Sequence, residues 1–147
     1  MFKHILVPTD GSTLSLRAAK NAIRLAKDQG ARITAFYVAP EYHENIVGDY
    51  LPANFVTQSA FQKQIKAVAD KYLAQVKKMA DVGGVACSVD YVSSDSPSQA
   101  IIEAAKQKKC DLIFMASHGR RGIAGLLIGS ETHKVLTHCK LPVLVYR

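Results

Sequence analysis

The opening of the chain, residues 4–38, reads HILVPTDGSTLSLRAAKNAIRLAKDQGARITAFYV. The apolar run 4–7 ends at Pro8, which has no N–H to donate to a ladder, so it predicts a short buried strand. Apolar residues then recur at helical spacing over 13–29, and Gly30 stands where a left-handed cap would end a helix. The β-formers of 33–38 predict a second strand. The segment therefore predicts a βαβ unit with parallel strands.

The middle of the chain continues this alternation. Residues 39–54 form the one long irregular connection, which we expect to be mobile or lid-like. A long helix follows, because apolar residues from Ile65 to Ala80 fall on one face, and Gly83-Gly84 end it. Residues 85–92 alternate as a third strand.

Two further units complete the chain. Ser96-Pro97-Ser98-Gln99 predicts a helix start with Ser96 as the cap and Gln99 closing a capping box, and this helix runs to about Lys109. Residues 112–116 and 142–146 are apolar strands, with a helix from about Ser130 to His138 between them. Five strands alternating with four helices predict an α/β fold, a doubly wound, Rossmann-like parallel sheet with helices on both faces.

Length and composition limit the alternatives. The chain has 147 residues, 48% of them hydrophobic and 21% charged, so we expect one packed domain spanning residues 1–147. No apolar run approaches a membrane span and no signal-peptide pattern precedes the first strand, so a soluble cytoplasmic protein is expected. The three cysteines, Cys87, Cys110 and Cys139, show no CxxC spacing and predict buried free thiols.

The chain is basic, with 19 Lys and Arg against 12 Asp and Glu and a net charge of +7. Such a balance suits nucleic acid or a phosphate-bearing ligand. The cations are scattered along the helical stretches, however, and no zinc-finger or RNP-type signature accompanies them. We therefore expect a solvated basic face, with no nucleic acid partner and no membrane partner.

Two segments lie where parallel sheets bind ligands, beyond the carboxyl ends of the strands. Pro8-Thr9-Asp10-Gly11-Ser12 follows strand one and offers a carboxylate in a tight turn. A glycine-punctuated loop from Ser117 to Gly129 follows strand four and leads into a helix start at Ser130. Glycines let backbone N–H groups approach an anion, and a helix N-terminus favours phosphate. The alternative is that these glycines serve only turns and close packing.

These segments carry a family resemblance. Residues 5–12, 115–130 and 141–145 together resemble the universal stress protein family over nearly the whole chain. The resemblance implies the strand order 3-2-1-4-5, a homodimer through the C-terminal strand, and in one branch an ATP site in a stress-response protein. That branch has Gly, two residues, Gly, nine residues, then Gly and Ser or Thr. Here Gly119 and Gly129-Ser130 match, and Ala116 replaces the first glycine.

The resemblance also implies the residues of an adenine nucleotide site. The backbone of 117–122 and the helix start at 130–132 would hold the phosphates and ribose, residues 8 and 38 would line the adenine, and Asp10 would lie near the phosphates or a Mg²⁺ ion. The full set is Pro8, Thr9, Asp10, Val38, Ala116, Ser117, His118, Gly119, Arg120, Arg121, Gly122, Gly129, Ser130, Glu131 and Thr132.

Several of these residues have a second interpretation. Ala116 ends an extended strand, where a negative φ is expected and a methyl group is tolerable unless the ribose needs its volume. His118 would support the loop by hydrogen bonds, since no sequence neighbour orients it as an acid or base. Arg120 and Arg121 would either clamp phosphates or point into solvent. Asp10 would serve as a helix cap, alone or in addition to its ligand role.

The functional expectation is a binding protein. A phosphate cradle with one carboxylate supplies no positioned nucleophile or base, so hydrolysis of ATP would be slow or incidental. We predict a dimeric, nucleotide-binding stress-response module that is not an enzyme. The alternative is a dimeric interaction protein of the same family that binds no nucleotide.

Overall fold

The computed structural model describes residues 1–46, 48, 51–120, 122 and 128–147. The chain alternates strands and helices in the order β1 (His4–Pro8), α1 (Thr13–Gln29), β2 (Arg32–Ala39), α2 (Gln58–Gly83), β3 (Cys87–Ser93), α3 (Pro97–Gln107), β4 (Leu112–Ala116), α4 (Ser130–His138) and β5 (Val143–Tyr146). The strands form one parallel sheet in the order β3-β2-β1-β4-β5. This confirms the predicted fold class and strand order.

Each face of the sheet has its own core. Alternate residues of β1, such as Ile5 and Val7, pack under α1 and α2, where the alanines of α1 let that helix approach the sheet closely. Leu6 and Phe36 face the other way and pack under α3 and α4. The central strands β1 and β4 are almost fully buried, as expected for strands covered on both faces.

Helices α1 and α2 have the capping residues that are typical of helix ends, whereas α3 does not. The Ser12 and Thr57 hydroxyls cap α1 and α2, and both helices end on a left-handed glycine, Gly30 and Gly84. The expected capping box of α3 is wrong. Ser96 has φ −118° and ψ 79°, away from the extended geometry of the other two caps, and it makes no side-chain cap bond.

A residue from another helix takes over the cap of α3. The N–H of Ser98 donates to Oε2 of Glu131, the second residue of α4, at 2.9 Å. Gln99, the other half of the expected box, bonds Glu103 on its own helix instead. The α3 N-terminus is therefore capped by a contact that spans 33 residues of sequence.

Other boundaries differ by one or two residues. The third strand begins at Cys87 rather than residue 85, and α3 ends at Gln107, with Lys109 at a left-handed φ of 55°. β5 begins after Pro142, which lacks an N–H. Within the described part of 40–57 there is no helix or strand, as expected, while Val47, Asp49 and Tyr50 lie outside the described residues.

The cysteines and the helices bear on two further expectations. Cys110 is buried, whereas Cys87 and Cys139 are only partly so, and all three are free thiols. Burial raises the pKa of the Cys110 thiol to about 11. Across the described ranges, no helix is both long and apolar enough to span a membrane.

Candidate functional site

The residues named from the sequence come together at the carboxyl edge of the sheet. β1 ends at Pro8 and β4 at Ala116, two neighbouring strands that belong to opposite halves of the sheet. The chain leaves in opposite directions from this pair, which makes it the topological switch point. Ligands of open parallel sheets bind at such a point, so the location itself favours a binding site.

Asp10 ties the two loops together. Its Oδ1 accepts the N–H of Ser12 at 3.0 Å, and its Oδ2 accepts the N–H of Arg120 at 2.7 Å. Burial by itself would raise the pKa of Asp10, but hydrogen bonds from Ser12 and Arg120 outweigh it and hold that pKa below its usual range. Asp10 is ionised at neutral pH and is not the cap of α1, a role that belongs to Ser12.

The Arg120 side chain folds back over the loop after β1. Its Nε donates to the carbonyl of Asp10 at 2.8 Å and its Nη2 to the carbonyl of Gly11 at 3.2 Å. The guanidinium lies 5.0 Å from the centre of the Tyr72 ring on α2, within range of a cation–π contact. In this structure the exposed Arg120 guanidinium binds carbonyls of the β1–α1 loop, and its predicted contact with phosphate stays a prediction.

Gly11 is required at its position in this arrangement. Its φ is +72°, and a Cβ there would overlap the ring of Tyr72. Tyr72 in turn meets Tyr37 edge to face, with ring centres 5.3 Å apart. The β1–α1 loop is thus held between the Arg120 guanidinium and an aromatic pair.

The loop after β4 is closed at its base. The N–H of Gly129 donates to the carbonyl of Ser117 at 2.7 Å, and the N–H of Ser117 donates to the carbonyl of Tyr146 at 2.7 Å. Ser117 is 2% exposed, and its hydroxyl lies 3.1 Å from Nδ1 of His118. His118 thus has a hydrogen-bond partner in the loop, in line with a supporting role.

Three loop glycines are packed against the protein itself. A Cβ on Gly119 would overlap Oδ2 of Asp10, and one on Gly122 would overlap the ring of His118. A Cβ on Gly129 would lie 3.2 Å from the carbonyl oxygen of Ser117. Close packing therefore accounts for these glycines without a ligand, as the alternative interpretation holds.

Ala116 occupies an ordinary strand position. It is 8% exposed and pairs with Tyr146 of β5. Among the described residues other than glycine only Lys109 has a positive φ, so Ala116 has the negative φ expected of a strand end. Its carbonyl accepts the hydroxyl of the buried Thr132 at 3.0 Å, which fastens the first turn of α4 to the end of β4.

The first turn of α4 carries no side-chain cap. Its N-cap is Gly129, whereas α1 and α2 have hydroxyl caps. Glu131 points its carboxylate at Ser98 and Lys134, the latter at 2.8 Å. Burial would raise the pKa of Glu131, but bonds from these two partners hold it below its usual range. Among the residues that the structure describes, the N–H groups of this turn thus have no side-chain acceptor such as the other helix starts have.

The residues expected around the adenine lie on the opposite side of β1 from Arg120. Pro8 and Val38 fall on the sheet face that packs against α3 and α4, and Val38 packs at the margin of that core. Thr9 is 5% exposed and bonds Ser15 through its hydroxyl at 3.1 Å. Arg121 lies outside the described residues.

A metal site is not evident from side chains alone. Within the ranges that the structure describes, no three His, Cys, Asp or Glu residues are grouped so that they could hold an ion. Both carboxylate oxygens of Asp10 already accept an N–H. A cation here would need oxygens from a ligand in addition to Asp10, whose carboxylate oxygens each have a further lone pair besides the one that accepts an N–H.

Two cavities in the described part lie away from these residues. The larger, about 780 Å³, runs between the start of α2 and β3, and a second of about 310 Å³ lies between β3 and α3. Neither is lined by the loops after β1 and β4. The Asp10 carboxylate and backbone N–H groups converge instead at the switch point, which makes it the stronger candidate for a ligand site.

Sequence reasoning missed Tyr72 and the Glu131–Ser98 contact. Tyr72 lies 61 positions after Gly11, and helical spacing marks it only as one more residue of the inner face of α2. No local motif predicts either contact, because each depends on how separate elements pack.

Comparison with known proteins identifies the family of this chain. A model of the universal stress protein family matches residues 1–147. The chain belongs to the universal stress protein family. The universal stress protein MJ0531 of Methanocaldococcus jannaschii is 37% identical over 147 residues, covering all of this chain and 83% of that protein.

Solved universal stress protein structures extend the comparison. The structure of MJ0577 superposes with a TM-score of 0.82 at 25% identity, covering 99% of this chain and 95% of that one. A universal stress protein solved in complex with cAMP superposes with a TM-score of 0.72 at 26% identity, covering 99% and 97%. The fold is thus shared over the whole length, and one relative of this fold binds an adenine nucleotide.

Proposed function

We propose that this universal stress protein binds an adenine nucleotide, ATP in the first instance, at the switch point between β1 and β4, and acts as a dimeric regulatory or protective module. The observation that carries the proposal is the first turn of α4, beside the closed base of the β4–α4 loop. This turn has a glycine N-cap and, within the described part of the chain, no side-chain cap. Unpaired N–H groups and the helix dipole favour phosphate at such a start. The relative solved with cAMP supports the choice of an adenine nucleotide.

The proposal assigns roles to the predicted residues. The N–H groups of 130–132 and the backbone of 117–122 would hold phosphates and ribose, and Pro8 and Val38 would line the adenine. Arg120 would hold the β1–α1 loop in position, since its guanidinium already donates to two carbonyls of that loop. Asp10 would meet a Mg²⁺ ion only together with phosphate oxygens.

The same geometry argues against designed catalysis. Asp10 accepts two backbone N–H groups, so it is stabilised as a carboxylate and is a poor proton acceptor. His118 bonds Ser117 and no carboxylate contacts it among the described residues. We propose that any hydrolysis of bound ATP is slow and incidental.

The test places a negative charge where the phosphates would lie. Ser130→Asp suits the start of a helix, so the variant should fold, yet its carboxylate would compete with phosphate for the same N–H groups. Calorimetry with magnesium ATP, AMP and cAMP should show saturable binding to the wild type and at least about tenfold weaker binding to Ser130→Asp. Ser59→Asp, in the exposed first turn of α2, is the matched control and should bind like the wild type.

Two outcomes contradict the proposal. Unchanged affinity in Ser130→Asp would remove the phosphates from α4, and no binding of any of these nucleotides at millimolar concentration would favour the alternative function. Ala116→Gly is a companion variant, expected to bind equally or more tightly. Valine at Gly119 or Gly129 is a poor test, because those side chains would strike protein atoms and disturb the loop directly.

The alternative, a dimeric interaction protein without nucleotide, rests on one observation. The described loop glycines are each accounted for by contacts within the protein. The calorimetry above separates the two functions, since both share the same fold and the same proposed dimer.

The proposed dimer forms through β5, an edge strand of the sheet. The carbonyls of Pro142 and Tyr146 accept the N–H groups of Ile113 in β4 and of Ser117 just after it. The backbone groups of the alternate residues Val143 and Val145 therefore face the free edge. Val145→Pro should therefore remove an edge donor and shift the protein towards monomer in sedimentation, while the fold is checked by circular dichroism. Val89→Pro, at the outer edge of β3, is the matched control and should stay dimeric.

A further inference from the structure

The positive charge of this protein is concentrated on one layer. Helices α1 and α2 hold nine lysines and arginines and three aspartates, a net +6 of the +7 carried by the whole chain. The two helices lie side by side on one face of the sheet, with Ile23 of α1 2.9 Å from the position of a Cβ on Gly83. We call their outer surface the basic layer.

The cations of α1 form a stripe along its exposed side. Arg17, Lys20, Arg24 and Lys27 recur at intervals of three and four residues, and all four are exposed. This spacing puts them on one side of a helix, and the residues of α1 that are buried lie on the other. Among the described residues none of the four has a carboxylate within ion-pair distance.

The cations of α2 continue the layer. Lys71 and Lys78 are exposed and lie opposite the buried residues Leu73 and Val76. Lys66 and Lys77 are paired with aspartates on their own helix. With 26 residues, α2 is about 39 Å long, so the layer is broad as well as charged.

Two exposed apolar side chains lie at the end of this layer. Met1 and Val82 are 91% and 84% exposed, the highest values among the exposed large hydrophobic residues described. The Met1 amine bonds Gln29, the last residue of α1, at 2.5 Å, and Val82 is the next-to-last residue of α2. An exposed apolar side chain therefore lies beside the cations at the C-terminal end of each helix.

We propose that the basic layer is a docking surface for the anionic surface of a phospholipid membrane. Each Lys or Arg near such a surface adds to the attraction, and exposed apolar side chains can enter the interface. A broad layer of two parallel helices can present many cations to a plane at once. The outer side of α1 and α2 exposes no aromatic residue for base stacking, which disfavours single-stranded nucleic acid.

This proposal is independent of nucleotide binding, since it uses none of the residues at the switch point. It departs from the sequence-based expectation of no membrane partner, because a sequence does not show which basic helices lie side by side. It requires no membrane span.

The experiment measures co-sedimentation of the whole protein with vesicles of phosphatidylglycerol and phosphatidylcholine in equal parts, and with vesicles of phosphatidylcholine alone. We expect binding to the anionic vesicles only, lost as salt rises from about 0.05 M to about 0.5 M. The double variant Arg24→Glu, Lys27→Glu should lower the partition coefficient at least about tenfold. The matched control Lys106→Glu, Lys140→Glu changes net charge equally away from the layer and should bind like the wild type.

Val82→Ser separates lipid from other polyanions. It should weaken binding to vesicles at least about threefold and leave any binding to an oligonucleotide unchanged. The proposal is overturned if anionic vesicles do not bind, if the control pair loses binding as much as the layer pair, or if Val82→Ser binds the vesicles as tightly as the wild type does. Circular dichroism confirms that each variant is folded.

Discussion

The contact of Arg120 with the β1–α1 loop can be tested by removing the side chain. Arg120→Ala would abolish the bonds from Nε to the Asp10 carbonyl and from Nη2 to the Gly11 carbonyl, and the contact with Tyr72. The backbone N–H of residue 120 would still donate to Asp10 Oδ2. The substitution therefore isolates the side chain from the backbone contact.

The expected loss of stability is moderate because Arg120 is exposed. Each hydrogen bond should contribute about 0.5 kcal/mol at such a site, and the cation–π contact about 0.5–1 kcal/mol. The free energy of unfolding should thus fall by about 1.5 kcal/mol, which for a chain of this size lowers Tm by about 3–6 °C. Arg120→Lys keeps the charge but cannot donate to both carbonyls in the same way, so its free energy of unfolding should fall by about half as much.

Urea unfolding followed by circular dichroism measures these values, with Arg17→Ala as the control. Arg17 is exposed on α1 and its side chain has no described partner, so its loss should cost no more than about 0.5 kcal/mol. A double-mutant cycle with Tyr72→Leu should give a coupling energy of about 0.5–1 kcal/mol. The reasoning is refuted if Arg120→Ala is as stable as Arg17→Ala, or if the Tyr72 and Arg120 substitutions are additive.

Three other predictions concern single residues. Gly119→Ala should destabilise the apo protein by about 1–2 kcal/mol, because the new methyl group displaces the Asp10 carboxylate; an unchanged urea midpoint would contradict this. Folding lowers the pKa of Asp10, so its ionised form stabilises the protein at any pH above the pKa of the unfolded chain. The difference in the free energy of unfolding between wild type and Asp10→Asn should therefore be full above about pH 5 and should shrink as the pH falls towards the lowered pKa of the folded protein. A difference that is independent of pH would contradict this. The Cys110 thiol has a pKa of about 11 and is 5% exposed, so in the native protein it should resist iodoacetamide at pH 8 while Cys139 reacts. Peptide mass spectrometry measures the labelling of each cysteine, and equal labelling of the two would contradict this.

Local patterns predicted what is locally determined. The strand ending at Pro8, the α1 helix between Ser12 and Gly30, and the apolar run of β4 each follow from a few neighbouring residues, and the structure has them. The strand order came from the family resemblance and is confirmed. The carboxyl edge was the right place to look for converging polar groups, because parallel strands bring their ends together.

Contacts between distant elements were beyond the sequence. Ser96 had every local feature of a cap, yet a carboxylate from α4 occupies the α3 N-terminus. The sequence around Arg120 shows only that it follows a glycine in a loop, so it does not predict the contact of its guanidinium with the Tyr72 ring on α2. The basic layer was invisible for the same reason, since its cations are spread over 62 residues of sequence between Arg17 and Lys78.

The Glu131–Ser98 contact makes α3 and α4 dependent on one another. Opening of α4 would withdraw the acceptor of the Ser98 amide, at a position where α3 has no cap of its own. The two helices also share the core on their face of the sheet, in which Ala104 and Val135 are both buried. They should therefore exchange amide hydrogens as one cooperative unit, with protection of the Ser98 amide reporting on α4. A displacement of the first turn of α4 would then alter the first turn of α3 without a change in the sheet beneath the two helices.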